Sequence, residues 1–248
     1  MKLWGDRHGF LTFSLRRYND RLQPKKAVKE IMDKSTIKVG VVSDVVCPWC
    51  YIGKRRLEKA MELTSDRFAF DVEYFPFELN PHMPAEGVNY REYLCKKFGS
   101  EAKFMELSAH VKQVAAREGL IFNLDQQNVS PNTRDVHRVI MLAREEGRQL
   151  EVVEAFFKAY FREGVDLSQP ENLVQISERA GMDGDQVRQL LDSNTGKIEI
   201  EMAEKELHDL GITAVPLFII ENKLAISGAQ AVEAFVKAFE EAALVNQI

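Results

Sequence analysis

The chain has 248 residues, enough to bury a full core either as one large domain or as a domain carrying an inserted one. Its 45% hydrophobic and 29% charged residues are ordinary globular composition, which excludes a disordered or fibrous protein. A formal net charge of −5 argues against a nucleic-acid partner, and three cysteines cannot make a disulfide framework.

Residues 1–35 hold nine Lys or Arg against four Asp or Glu, a basic extension on an otherwise acidic protein. Gly9 to Leu15 is too short for a signal-peptide core, Arg16 and Arg17 follow it directly, and no small-residue cleavage site comes after. We read the segment as a poorly ordered extension rather than a targeting sequence. No apolar run approaches the roughly 18 residues of a membrane span, so a cytoplasmic protein without a membrane partner is expected.

Thr36 to Val46 is a β-branched run that predicts a strand buried on both faces. It breaks off at Cys47-Pro48-Trp49-Cys50. A helix then follows, with Leu57, Ala60, Met61 and Thr64 on its buried face and Lys54, Arg55, Arg56, Glu58 and Lys59 around the rest. Phe68, Phe70, Val72 and Tyr74 alternate with Ala69, Asp71 and Glu73 as a second strand, which Pro76 disrupts. Pro81 and Pro84 turn the chain out of the sheet.

From about Tyr90 to Leu210 the pattern is helical, and only Leu120 to Leu124 looks extended. Helix starts are predicted at Ser130-Pro131, at Ser168 with Pro170, and at Asp183 with Gln186; Gly119, Gly147 and Gly181 fall where helices would end. Val215-Pro216 opens a strand, Glu221-Asn222-Lys223 a tight turn and Leu224 a second strand. Ser227-Gly228-Ala229-Gln230 then leads into a last helix with Val232, Phe235, Val236, Phe239 and Ala243 on one face.

Two cysteines three apart in the first turn of a helix lie side by side. The unpaired N–H groups and positive potential of a helix start stabilise a thiolate, so Cys47 is the expected nucleophile and Cys50 the resolving thiol. Pro48 suits a first turn, and Trp49 adds apolar bulk without charge. Zinc is the rival reading, but a closed site needs four ligands. No second Cys-x-x-Cys or His-x-x-x-His is present, so no metal site is expected. Val215-Pro216 is the second signal: a trans proline merely marks a strand edge, whereas a cis one would present backbone groups beside Cys47. Asp44, three before Cys47, is either a buried carboxylate that moves protons or a strand-end residue with a local hydrogen bond. Cys95 is read as a small core residue, and His82, His110, His137 and His208 as surface or packing histidines.

Strand, CPWC, helix, a helical insertion, then VP-strand-turn-strand-SGAQ-helix together resemble the thioredoxin superfamily. The likeness is to its DsbA-like branch of FrnE-like or 2-hydroxychromene-2-carboxylate isomerase-like proteins. The motifs that carry it are Asp44 to Gly53, Phe77 to Pro81, Asn132-Thr133-Arg134, Val215-Pro216 and Ser227 to Gln230. The resemblance implies an α/β thioredoxin fold (βαβ–ββα) with a large all-helical insertion. Residues 36–81 and 211–248 would form the thioredoxin-like domain and 82–210 the insertion covering the active-site face. It also implies a cis Pro216 facing Cys47.

Isomerase and kappa-class transferase relatives carry serine where Cys47 stands and use glutathione. Retention of both thiols points to thiol–disulfide exchange, with a glutathione-dependent isomerase or transferase acting on a small aromatic or polyketide compound as the alternative. The expected site is Cys47, Cys50 and Pro216 as catalytic residues, with Pro48, Trp49, Val215, Asn132, Gly228 and Gln230 binding substrate. The expected partners are protein or small-molecule thiols and disulfides. Glutathione is a candidate co-substrate, no tightly bound cofactor is expected, and a homodimer is left open.

Overall fold

The computed structural model describes residues 34–245. Nearly all of the basic extension lies outside the described residues.

Strand β1 (Ser35–Ser43), helix α1 (Pro48–Leu63) and strand β2 (Phe68–Pro76) form the opening βαβ unit. β1 and β2 pair in parallel, with Val39 opposite Val72. The chain returns to the same sheet as β5 (Leu217–Ile220), antiparallel to β1, and β6 (Leu224–Ser227), antiparallel to β5, before ending in helix α9 (Val232–Val245). The sheet order is β2-β1-β5-β6. This is the expected thioredoxin arrangement, with β1 in the interior as its apolar run requires.

Helices α1 and α9 pack on each other. Phe235 meets Phe218 edge-on with ring centres 4.8 Å apart, and Phe239 meets Phe70 at 4.7 Å. The fully buried stripe of α9 is Phe235, Ala238, Phe239 and Ala242; Val232 and Val236 sit at its margin. Leu57, Ala60 and Thr64 are buried on α1 as the periodicity predicts. Lys54, expected on the solvated face, is only 4% exposed, because Glu58 and a carboxylate from the helical region neutralise it.

Between β2 and β5 run α2 (Tyr90–Phe98), α3 (Glu101–Arg117), α4 (Arg134–Glu145), α5 (Gln149–Phe161), α6 (Pro170–Arg179), α7 (Gly184–Leu191) and α8 (Lys197–Asp209). Asp183 caps α7 by accepting from the N–H groups of Asp185 and Gln186, and Gly119, Gly147 and Gly181 end helices at positive φ.

The insertion is not wholly helical. Residues β3 (Val88–Asn89) and β4 (Val129–Ser130) form a short antiparallel ladder, and the stretch expected to be extended contains a 3₁₀ turn at Leu124–Gln126. Because Ser130 belongs to that ladder, α4 starts three residues later than its Ser-Pro pair predicts. The Asn132 side chain then supports its first turn by accepting from the N–H of Arg134 at 2.9 Å.

Helices α4, α5 and α8 lie against β2. Gln149 of α5 behaves there like a strand residue. Its Oε1 accepts from the Tyr74 N–H at 2.9 Å and its Nε2 donates to the Tyr74 carbonyl at 3.0 Å, so one edge of the sheet is closed by an amide side chain. Among the described residues no helix is long and apolar enough to cross a membrane.

Candidate active site

The redox turn begins earlier than its sequence predicts. β1 stops at Ser43 rather than Val46, because Asp44 bends the chain: its Oδ1 accepts from the Val46 N–H at 3.3 Å and its carbonyl from the Cys47 N–H at 3.1 Å. Cys47 is thereby delivered as the N-cap of α1, extended at φ −87 and ψ 113, with Pro48 behind it. The Cys47 carbonyl accepts from the N–H groups of Cys50 at 3.0 Å and Tyr51 at 3.4 Å, and the first turn contains no acidic residue. A thiolate at Cys47 therefore meets the positive end of the helix unopposed.

Both cysteines are free thiols, 5% exposed at Cys47 and 2% at Cys50. Burial, reinforced by the neighbouring Cys47, pushes the Cys50 thiol well above its ordinary pKa. The two thiols thus differ in setting: Cys47 stands at the positive end of α1, and burial favours the protonated form of Cys50.

Opposite stands the Val215–Pro216 peptide, which is cis. Cys47 Sγ lies 3.8 Å from the Val215 carbonyl oxygen. Close packing holds this approach: a Cβ at Gly53 of α1 would sit 2.9 Å from the Phe218 ring and 3.2 Å from Pro216 Cγ, so only glycine lets α1 come this near. Gly228 donates its N–H to the Pro216 carbonyl at 2.8 Å, and Gln230 Nε2 donates to the Ser227 carbonyl at 2.8 Å. The Val215 carbonyl meets Cys47 directly, while Gly228 and Gln230 brace the loop behind it. Asn132 stands between Pro131, which lines the cavity beside the turn, and Thr133, and its Nδ2 donates to the Met83 carbonyl at 2.8 Å.

Beside the turn opens a cavity of about 270 Å³. Val46, Pro48 and Trp49 form its redox side, and Leu79 and Asn80 come from the loop after β2. The helical region contributes mainly aromatic rings, including Tyr90, Tyr93, Phe104 and Tyr160. Asn132, Gly228 and Gln230 are not among its lining residues. Polar groups are few. Lys97 Nζ reaches Asn80 Oδ1 at 3.0 Å and the Tyr93 hydroxyl at 3.3 Å, and His110 stands with its ring centre 6.1 Å from that of Trp49, which is 36% exposed. The wall residues on α2 and α3 carry no motif. Their only signal in the chain is the apolar face of α2 and α3, which reads as packing.

Behind the turn lies a buried polar cluster. Asp44 is fully buried and makes the local hydrogen bond that its strand-end position suggests. Its Oδ2 also accepts from the Leu79 N–H at 2.8 Å and the Thr133 hydroxyl at 3.4 Å. His137 Nε2 lies 3.7 Å from Asp44 Oδ1, an ion-pair distance rather than a hydrogen bond. Glu78, from the loop after β2, accepts from Arg134 Nε at 2.9 Å, and its own N–H donates to Glu204 at 2.6 Å. His137 is therefore no ordinary packing histidine, although nothing near it in sequence marks it. Cys95, expected in the core, is only half-buried.

A family model for the DSBA-like thioredoxin domain matches residues 38–240. A probable DsbA oxidoreductase from Streptomyces coelicolor is 32% identical, with 83% of this chain and 89% of that one aligned at a TM-score of 0.78. An uncharacterized protein of Bacillus subtilis, YwbO, is 26% identical over 207 residues, covering 83% of this chain and 97% of its own length. The cytosolic disulfide reductase DsbM from Pseudomonas aeruginosa, in a structure with GSH, shares the fold at 15% identity. Its TM-score is 0.57 over 85% of this chain and 98% of its own.

Proposed function

The chain belongs to the DSBA-like thioredoxin domain family, and from that premise we propose that it is a thiol–disulfide oxidoreductase whose redox pair is Cys47 and Cys50. The observation that carries the reading is the pair's unequal setting: Cys47 caps the start of α1 beside the Val215 carbonyl, while Cys50 is held protonated by burial.

In the reducing direction the Cys47 thiolate attacks a substrate disulfide. One substrate sulfur becomes bonded to Cys47 and the other leaves as a thiolate that takes up a proton. Cys50 then loses its proton and attacks Cys47 Sγ. The second substrate sulfur is released as a thiol and the protein is left oxidised, with a Cys47–Cys50 disulfide. The oxidising direction is the reverse. The high pKa of Cys50 means that its deprotonation must be assisted at the moment of attack.

Val215 and Pro216 supply the backbone edge against which the substrate lies, and Pro48 and Trp49 the rim. Protein or small-molecule disulfides are the substrates, with glutathione as the co-substrate that resets the pair. The GSH-bound DsbM structure supports that choice, and a reducing, cytoplasmic setting is consistent with so few cysteines.

A glutathione-dependent isomerase or transferase acting on a small aromatic compound is the second reading, favoured by the aromatic cavity next to Trp49. Cys47→Ser separates the two. We expect it to lower disulfide reduction at least about 10³-fold and to prevent the reversible Cys47–Cys50 disulfide seen by mass spectrometry. Turnover retained in that variant would overturn the redox reading in favour of isomerisation.

A further inference from the structure

A fully buried carboxylate is costly to keep ionised unless a cation faces it. Asp44 takes its hydrogen bonds from neutral donors only, the N–H groups of Val46 and Leu79 and the Thr133 hydroxyl. The basic group that faces it is His137 on α4, itself buried. The elements packed around His137 present three carboxyl groups: Asp44 after β1, Glu78 after β2 and Glu204 on α8. Arg134, one turn earlier on α4, is paired with Glu78 and stands 3.6 Å from Glu201 of α8. Tyr160 of α5 also faces Asp44.

Four buried or half-buried members, Asp44, Glu78, Arg134 and His137, carry no net charge when all are ionised. Even so, Glu78 Oε2 and His137 Nε2 are buried without a hydrogen-bond partner.

What Asp44 holds explains where this matters. The two backbone N–H groups bound to its carboxylate belong to Val46 and Leu79, which line the aromatic cavity, and its carbonyl takes the N–H of Cys47. The Asp44 side chain thus fixes the residue before the nucleophile and one wall of the cavity beside it, while its main-chain carbonyl takes the N–H of Cys47.

We infer that His137 is a positioning residue of the redox centre: as an imidazolium it holds the Asp44 carboxylate in place, and through Asp44 both the Cys47 turn and the cavity wall. Burial alone would lower the pKa of His137. Asp44 first, then Glu78 and Glu204, outweigh burial and raise it, which extends the charged form upward in pH. Deprotonation leaves a buried carboxylate without its counter-charge, and the turn loses its anchor.

The inference rests on the exchange reading, and the test separates the two. Reduced full-length protein is mixed with the aromatic disulfide dithiobis(nitrobenzoate), and the reaction of Cys47 is followed between about pH 5.5 and 9. We expect the wild-type profile to contain an inflection from His137 besides those of the thiol and of Glu78. His137→Gln should lose this inflection and react about 10- to 100-fold more slowly at neutral pH. Asp44→Asn combined with His137→Gln, which leaves neither buried charge, should react faster than His137→Gln alone.

Glu78→Gln provides a second arm that does not depend on the folding of the histidine variant. Removing a carboxylate that raises the pKa of His137 should move the inflection to lower pH without abolishing it. An inflection unchanged in His137→Gln, lost or unmoved in Glu78→Gln, or a double variant slower than His137→Gln, overturns the inference while leaving exchange intact. A wild-type protein that does not react with the disulfide at all overturns both.

Discussion

Two ionic clusters, one partly exposed and one largely buried, fasten the Cys47 turn and its helix to the helical region, and they are built differently. Alongside α1, Lys54 meets both Glu58 and Glu154, Arg55 meets the same two carboxylates, and the Tyr51 hydroxyl donates to Glu154 at 2.8 Å. Each charge there has an opposite within reach. Behind the turn, the Asp44–His137–Glu78–Arg134 cluster leaves a carboxylate oxygen and an imidazole nitrogen unpartnered.

Two glutamates record the contrast. Burial works against the ionised form of Glu154, but Lys54, Tyr51 and Arg55 together hold its pKa below the ordinary value. Burial, joined by Glu204, pushes Glu78 up to about 7 despite Arg134. The first cluster is a scaffold whose charges stay fixed across neutral pH. The second changes its charge there, and it lies against the chemistry.

The largest effect that would sharpen this comparison is a pH dependence of stability. Glu78 holds its proton in the folded state up to about pH 7, against an ordinary value of 4.5. Its contribution is therefore fully present below the ordinary carboxylate range and is lost as pH rises through about 7. By linkage the difference amounts to about 3 kcal/mol. Urea unfolding should show wild type losing stability relative to Glu78→Gln between about pH 4.5 and 7. A difference that stays flat or grows in favour of wild type would place Glu78 in the scaffold class.

Smaller is the cost of breaking the satisfied cluster. Glu154→Ala should cost about 2 kcal/mol in the same assay, because Lys54 keeps only Glu58. This loss should be independent of pH near neutrality, and the exchange rate of the folded protein should not change. Smallest is Lys54→Met, a replacement of similar length that leaves Glu154 with Arg55. It should change stability by less than about 1 kcal/mol. A large loss there would mean that the ion pair does more than fill space.

The same contrast separates what the chain discloses locally from what only folding discloses. The order of strands and helices along the chain, the thiol pair at a helix start and Val215-Pro216 follow from short-range rules: β-branched runs, helix starts, and a proline opening a strand. Lys54 looks solvent-facing by helical periodicity because its neutralising partner, Glu154, is a hundred residues away. His137 sits among the apolar residues of α4, and its meaning comes from Asp44 on a distant element. The two-residue strands at Val88 and Val129 are too short for any alternation to register. The cavity wall is assembled from helix faces whose apolar residues would read the same had they packed in a closed core.

The near-complete burial of Cys47 bears on which oxidants and thiols the protein converses with. Thiol exchange needs three sulfur atoms almost in line, so a nucleophile flanked by the Val215 carbonyl and roofed by helices accepts few directions of approach. Under the exchange proposed above, access sorts its partners before any question of reduction potential arises: a disulfide on a small molecule or on an extended segment of a protein can reach Cys47, and one inside a folded protein cannot.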